Sequence, residues 1–135
     1  MGNFDIDLDF GQIYEEKIRN LFEGEGSIEV KTERDIWADT GNAAIEIKSR
    51  GKPSGISTTE AKWWIHVFTI ENDVKFMLMF RVDKLRKAVK YMYLNDLAHK
   101  VNGGDDNTSE LLLVPISTLI LLNKKEGKTN LFFPL

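Results

Sequence analysis

Glu46 and Lys48 bracket Ile47 in a segment where Ala43, Ile45 and Ile47 alternate with Ala44, Glu46 and Lys48. That alternation predicts a strand over Ala43 to Ser49 and puts Glu46 and Lys48 on one face. A carboxylate and an ammonium on a half-buried strand are costly without a partner or a task. Asp35 lies eleven residues before Glu46, across a turn at Asp39, Thr40, Gly41 and Asn42, where a hairpin would fold it beside Glu46. Two converging carboxylates make an oxygen-rich site suited to Mg²⁺ or Mn²⁺. A lysine beside the metal would orient or deprotonate a water and offset charge on a phosphate. The chemistry these parts point to is metal-dependent phosphodiester hydrolysis. Asp35 is the favoured partner of Glu46. Glu33, which shares its strand parity, and Asp39 compete with it, and Glu29-Val30-Lys31 is a second Glu-x-Lys.

The elements that must position these groups follow from periodicity. Phe10, Tyr14, Ile18, Leu21 and Phe22 fall on one side of a helix over residues 10–22, ended by Gly24 and Gly26. Ser27 to Glu33 alternates as a strand. Ser57 and Glu60 have capping-box spacing, which predicts a second helix reaching Ile70. Val74 to Val82 is apolar at nearly every position, the signature of a central strand covered on both faces. Asp83 caps a third helix to about His99, Asn102 to Ser109 reads as a loop, and Leu111 to Val114 as a strand. Ile116 to Leu122 fits a strand or a short helix, and Leu131 to Phe133 a last strand. The expected class is α/β, a mixed central sheet flanked by helices in α-β-β-α-β order with C-terminal additions.

At 135 residues, without a linker or repeat, the chain suits one domain. The absence of cysteine excludes a disulfide scaffold, a thiolate zinc site and a cysteine nucleophile. His66 and His99 are too few for a histidine-rich metal site. The apolar stretch Leu111–Leu122 is too short to span a bilayer, and the acidic start lacks signal-peptide shape, so no membrane and a cytoplasmic location are expected. The net charge of −3 disfavours a nucleic-acid binder when taken whole. It divides unevenly, however. Residues 1–44 carry −7 and residues 45–100 carry +5, which suggests an acidic site beside a basic surface.

Asp35, an eleven-residue step and Glu46-Ile47-Lys48 resemble the PD-(D/E)XK nuclease signature, with Arg34 where that signature has proline. Gly11-Gln12-Ile13-Tyr14-Glu15 resembles the Gly-x-x-x-Glu start of archaeal Holliday junction resolvases, and the stretch from Gly41-Asn42 through Gly51-Lys52-Pro53-Ser54-Gly55 to Thr59 looks like small phage-encoded nucleases. The resemblance covers residues 10–82, leaving 83–135 as an extension. It implies a restriction-endonuclease-like core and a Mg²⁺-dependent DNA endonuclease, with Mn²⁺ as substitute and a junction or other branched DNA among its substrates. It also implies Asp35, Glu46 and Glu15 as metal ligands with the Ile47 carbonyl, Lys48 as the catalytic lysine, and host cytoplasm for a phage-encoded chain. A catalytically silent nucleic-acid-binding or accessory protein of that fold is the alternative.

Lys52, Ser54, Thr58, Thr59 and Lys62 are candidates for phosphate contacts, against an ordinary turn and helix cap. Trp37 is either a DNA-facing indole or half-buried packing. Trp63, Trp64 and Phe68 read as core, and Lys84, Arg86, Lys87 and Lys90 as a basic helix face, more commonly plain solvated charge than a track for a phosphate backbone. A chain this small has little surface to hold two strands, so a homodimer is expected, with Leu111–Leu122 or Leu131–Phe133 as its interface.

Overall fold

The computed structural model describes residues 2–25 and 27–122, with side chains from Asp9 onward except Glu25. The architecture is mixed α/β. Helix α1 (Gly2–Asn20) ends in a wide turn, Leu21–Glu25, where Gly24 takes φ 102°. Strand β1 (Ile28–Arg34) leads through a single helical turn, α2 (Trp37–Thr40), into β2 (Asn42–Ser49) and the short β3 (Lys52–Pro53). Then come β4 (Trp63–Ile70), β5 (Asp73–Arg81), α3 (Val82–Leu94), β6 (His99–Gly103), β7 (Ser109–Pro115) and α4 (Ile116–Leu122). The predicted strand at Leu131–Phe133 lies outside the described residues.

The strands form two sheets. In the mixed sheet, ordered β1-β4-β5, β1 runs parallel to β4 and β5 antiparallel to it. The second sheet, ordered β3-β2-β7-β6, is antiparallel throughout. Trp64, Phe68 and Phe80 of the first sheet, Ala43, Ile45, Leu112 and Val114 of the second, and Leu85, Val89 and Met92 of α3 share one buried core. Among the described residues no helix is long and apolar enough to cross a membrane.

Four expectations about the elements change. Residues 63–70 are strand β4, not the end of a second helix, so the α-β-β-α-β order is not followed. Trp63-Trp64-Ile65-His66-Val67-Phe68-Thr69-Ile70 is aromatic and β-branched, a composition suited to a pleated surface. Ser57 and Glu60 carry the capping pattern, but only the short turn Gly55–Ser57 forms there. Second, β1 and β2 do not pair as a hairpin. They are distributed between the two sheets, and β1 lies against β4. Third, β5 is an edge strand with Val74, Met77 and Met79 exposed, not a central strand. The third helix stops at Leu94, with Asp96 in a left-handed conformation (φ 58°), so that His99 belongs to a strand.

Candidate functional site

The Glu46–Lys48 segment is the most heavily shaped part of β2. Glu46 pairs with Leu111 and Lys48 with Glu110, so Ile47 is the additional residue of a β-bulge between them; because Leu111 and Glu110 are successive residues of β7, the bulge turns Glu46 and Lys48 to opposite faces, not to the single face that plain alternation predicts. Bulges bend a strand and re-aim its side chains, and they are frequent beside active sites. The Glu46 carboxylate accepts a hydrogen bond from the hydroxyl of Ser54 at 3.1 Å on Oε2 and from that of Ser109 at 2.8 Å on Oε1. The Ser54 amide donates to the Ile47 carbonyl at 3.0 Å. Gly55 (φ +55°) lies so close that a Cβ there would meet the Glu46 carbonyl oxygen at 2.3 Å. Only glycine permits this approach, which explains the Pro53-Ser54-Gly55 sequence better than a generic turn does.

Lys48 is half-exposed and lies 3.7 Å from Glu110. A surface pair of this kind is worth about 0–1 kcal/mol, so it holds the ammonium only loosely.

The acids on the β1 side separate clearly. Glu33 Oε1 accepts from the amide of Ala44, on the part of β2 that β3 does not cover, and lies 3.0 Å from His66 Nε2. Trp64 Nε1–H donates to His66 Nδ1 at 3.0 Å. A proton on Nδ1 would face another donor, so this arrangement holds the neutral imidazole with its hydrogen on Nε2, donating to Glu33. The buried row Trp64–His66–Glu33 thus ends on the backbone of β2 and ties the two sheets together. Asp35, in a left-handed conformation (φ 51°), turns away from this row. Its Oδ1 accepts from the Glu71 amide at 2.8 Å, and its own amide donates to the Thr69 carbonyl at 3.0 Å. It braces the β4–β5 turn, where Glu71 and Asn72 also have positive φ. Asp39 is exposed on α2, and Glu15 is exposed on α1. Among the described residues, neither Glu15 nor Asp35 is within hydrogen-bond or ion-pair distance of Glu46 or Lys48, and no three acid or histidine groups cluster as a ready metal cage.

The other candidates fall into two groups. Ser54 touches Glu46, Lys52 is exposed on β3 opposite Ser49, and Thr58 is exposed at the end of the 55–57 turn. Arg86 of α3 clamps this loop, donating to the carbonyls of Ile56 at 2.9 Å and Thr59 at 3.0 Å. Thr59 and Lys62 line a cleft of about 510 Å³ with Trp63, Arg81 and Arg86. Trp37 is packed: its indole donates to the Thr69 carbonyl at 2.8 Å, and its ring meets Phe68 and Phe76 edge-on. Trp64 and Phe68 are core as expected, whereas Trp63 is half-buried at the cleft.

Sequence reasoning did not single out Ser109 or Arg81, and it read Trp63 as core. Ser109 lies sixty-three positions from Glu46, and only the β2–β7 pairing reveals their contact. Comparison with protein-family models, with curated proteins and with solved structures finds no match to this chain.

Proposed function

We propose that this chain is a metal-dependent endonuclease that hydrolyses phosphodiester bonds in DNA, built on a variant of a restriction-endonuclease-like core. The observation that carries the reading is the Glu46 carboxylate held beside a β-bulge against a glycine-tight serine loop, with the Glu33 carboxylate on the same strand at Ala44 and Lys48 two positions on, turned to the other face. In this reading Glu33 takes the place of Asp35 as the second acid.

Mg²⁺ is commonly held by only one or two carboxylates, with water and substrate phosphate completing its shell. Under that habit Glu46 and Glu33, which meets β2 at Ala44 two positions from Glu46, would be the donors; Mn²⁺ suits the same oxygens. When bound, the metal supplies charge at a phosphate oxygen and acidifies a water. The protein's own groups do the rest. Ser54 and Ser109 hold the Glu46 carboxylate in one orientation, through hydroxyls that rotate without moving the backbone. Lys48 would leave its loose contact with Glu110 and reach round the bulge to offset phosphate charge and orient the attacking water.

The test is cleavage of a labelled panel (four-way junction, flap, duplex and single strands) in Mg²⁺ and Mn²⁺, with EDTA and Lys48→Ala as controls. Metal-dependent cutting lost in the variant is the expected result; no cutting by folded protein rejects the reading.

A second reading, a silent nucleic-acid-binding or accessory protein, is favoured by one observation: both Glu46 oxygens are already engaged by serine hydroxyls, while Asp35 and Glu15 lie elsewhere. Metal-independent binding without cutting is its outcome in the same panel. A homodimer would put two sites on one substrate, and Ile120 and Leu121, exposed on α4, would supply its interface; a monomer at micromolar concentration in sedimentation rejects that arrangement.

A further inference from the structure

A second cleft, of about 730 Å³, lies between α1 and the adjoining ends of β4 and β5. Its polar chemistry is one-sided. Lys17, Lys62 and Arg81 line it with the aromatic rings of Tyr14 and Trp63, and no carboxylate does. In a chain of net charge −3, whose first 44 residues carry −7, this wall keeps a local excess of positive charge even though Arg81 lies 3.4 Å from Asp83 and the adjoining cleft also carries Glu60. The groups are also placed. Arg81 is the direct cross-strand partner of Trp63. The ammonium of Lys17 sits 4.9 Å from the centroid of the Tyr14 ring. Lys62 is fixed at the start of β4 by its amide, which donates to both the carbonyl and the hydroxyl of Ser27 at 3.1 Å.

We infer that this cleft binds single-stranded nucleic acid, with an unpaired base stacked on Trp63 and the flanking phosphates on Lys17, Lys62 and Arg81. Cations that follow a backbone, interleaved with aromatic faces, are what unpaired strands require. A duplex buries its base faces in its own stack and offers such a cleft only phosphates. The inference rests on the nuclease reading for its meaning, because it gives that enzyme a substrate with an unpaired arm. The cleft is joined to the candidate active site through the chain. It shares Lys62, Trp63 and Arg81 with the cleft lined by Thr59, and the loop leading to Thr59 begins at Ser54 on Glu46. Eight residues separate Ser54 from Lys62, so the two regions lie no more than roughly 29 Å apart along even a fully extended chain.

The experiment is fluorescence anisotropy in EDTA, using the full chain and labelled oligothymidylate, oligouridylate and a duplex of equal length. Tighter binding of single strands than of duplex is expected, with affinity falling steeply as salt rises. The two single strands report whether deoxyribose or ribose is preferred. Trp63→Ala is expected to weaken single-strand binding about tenfold or more, while Trp63→Phe retains most of it. Arg81→Glu and Lys17→Glu, at surface positions, are expected to cause comparable losses with the melting temperature preserved, which keeps the test decisive if Trp63→Ala fails to fold. Equal binding of duplex, full competition by a mononucleotide, or unchanged binding in the charge-reversal variants overturns the inference. Binding intact in a protein that cuts nothing in Mg²⁺ removes the nuclease reading and leaves the cleft. Cutting by wild type, with binding unchanged in the variants, does the reverse.

Discussion

The bulged edge of β2 and the cleft beneath α1 are built from opposite charges and held in opposite ways. At β2 the anionic groups are enclosed by donors: two hydroxyls on Glu46, an amide and an imidazole on Glu33. In the cleft the cations are held loosely. Arg81 is 62% exposed and meets only Asp83, at 3.4 Å, among the described residues, and Lys17 leans on a ring. The difference follows from what each charge costs. A partly buried carboxylate must be hydrogen-bonded or it destabilises the fold. Long basic side chains keep their heads in water and can turn to a phosphate with little to break. The division also bears on the net charge: a protein that held a metal with acids and a nucleic acid with bases would sum to almost nothing.

The sharpest break of this comparison is at Glu46 and Lys48. Glu46→Gln and Lys48→Ala are each expected to lower cleavage by about a hundredfold or more, the scale of a lost electrostatic partner in a transition state. Lys48→Ala should leave the melting temperature almost unchanged, since the Glu110 contact is a surface pair. Single-turnover cleavage beside thermal melting separates the two effects. Activity within a few-fold of wild type in both variants would remove the catalytic half of the comparison and leave only the binding half.

Gly55→Ala tests the packing behind Glu46. Its Cβ would meet the Glu46 carbonyl oxygen, carbon and Cβ at 2.3, 2.9 and 2.9 Å, in a backbone conformation that L residues rarely adopt. Either the loop lifts or β2 shifts, at a cost of about 1–3 kcal/mol. A lowered melting temperature together with slower cleavage is expected. An unchanged melting temperature would mean that the loop is not pressed on the bulge.

Trp64→Phe acts on the opposite side of β2. It removes the donor to His66 Nδ1 and leaves a buried acceptor unpaired, costing about 1–3 kcal/mol. Nitrogen NMR of His66 should show the hydrogen on Nε2 in the wild type. A hydrogen on Nδ1 would contradict the row Trp64–His66–Glu33.

Much of this was legible in the sequence, for reasons that differ by residue. Alternation was enough to locate β1 and β2 but not to set their faces, since the bulge at Ile47 separates Glu46 from Lys48 and β1 exposes Val30 while partly burying Glu33. It was not enough for residues 63–70. An eight-residue apolar run has no clear period, and Ser57 with Glu60 mimics a helix start. The hairpin expected to join Asp35 to Glu46 assumed that consecutive strands pair, whereas β1 pairs with β4, thirty-five positions on at each register step. Lys48 and Ser54 could be singled out because they are close to Glu46 in sequence. Ser109 and Arg81 reach their places through β2–β7 and β4–β5 pairing, which no local pattern encodes.

Asp35→Asn has the smallest expected effect and decides which acid accompanies Glu46. If Asp35 held the metal, as the spacing to Glu46 suggests, the amide would cost as much activity as Glu46→Gln. The structure instead gives its Oδ1 the Glu71 amide, and an asparagine oxygen accepts that same hydrogen bond. Asparagine also tolerates the left-handed conformation found at this position (φ 51°). Cleavage within about twofold of wild type and a stability change within about 0.5 kcal/mol are therefore expected. Glu33→Gln, by contrast, keeps an acceptor for the Ala44 amide but removes the charge beside β2, so it should lose activity out of proportion to its melting temperature. Measured together, the two variants assign the second carboxylate. A silent Asp35→Asn with a crippled Glu33→Gln places it at Glu33. The reverse result would mean that the β4–β5 turn releases Asp35 when metal and substrate arrive.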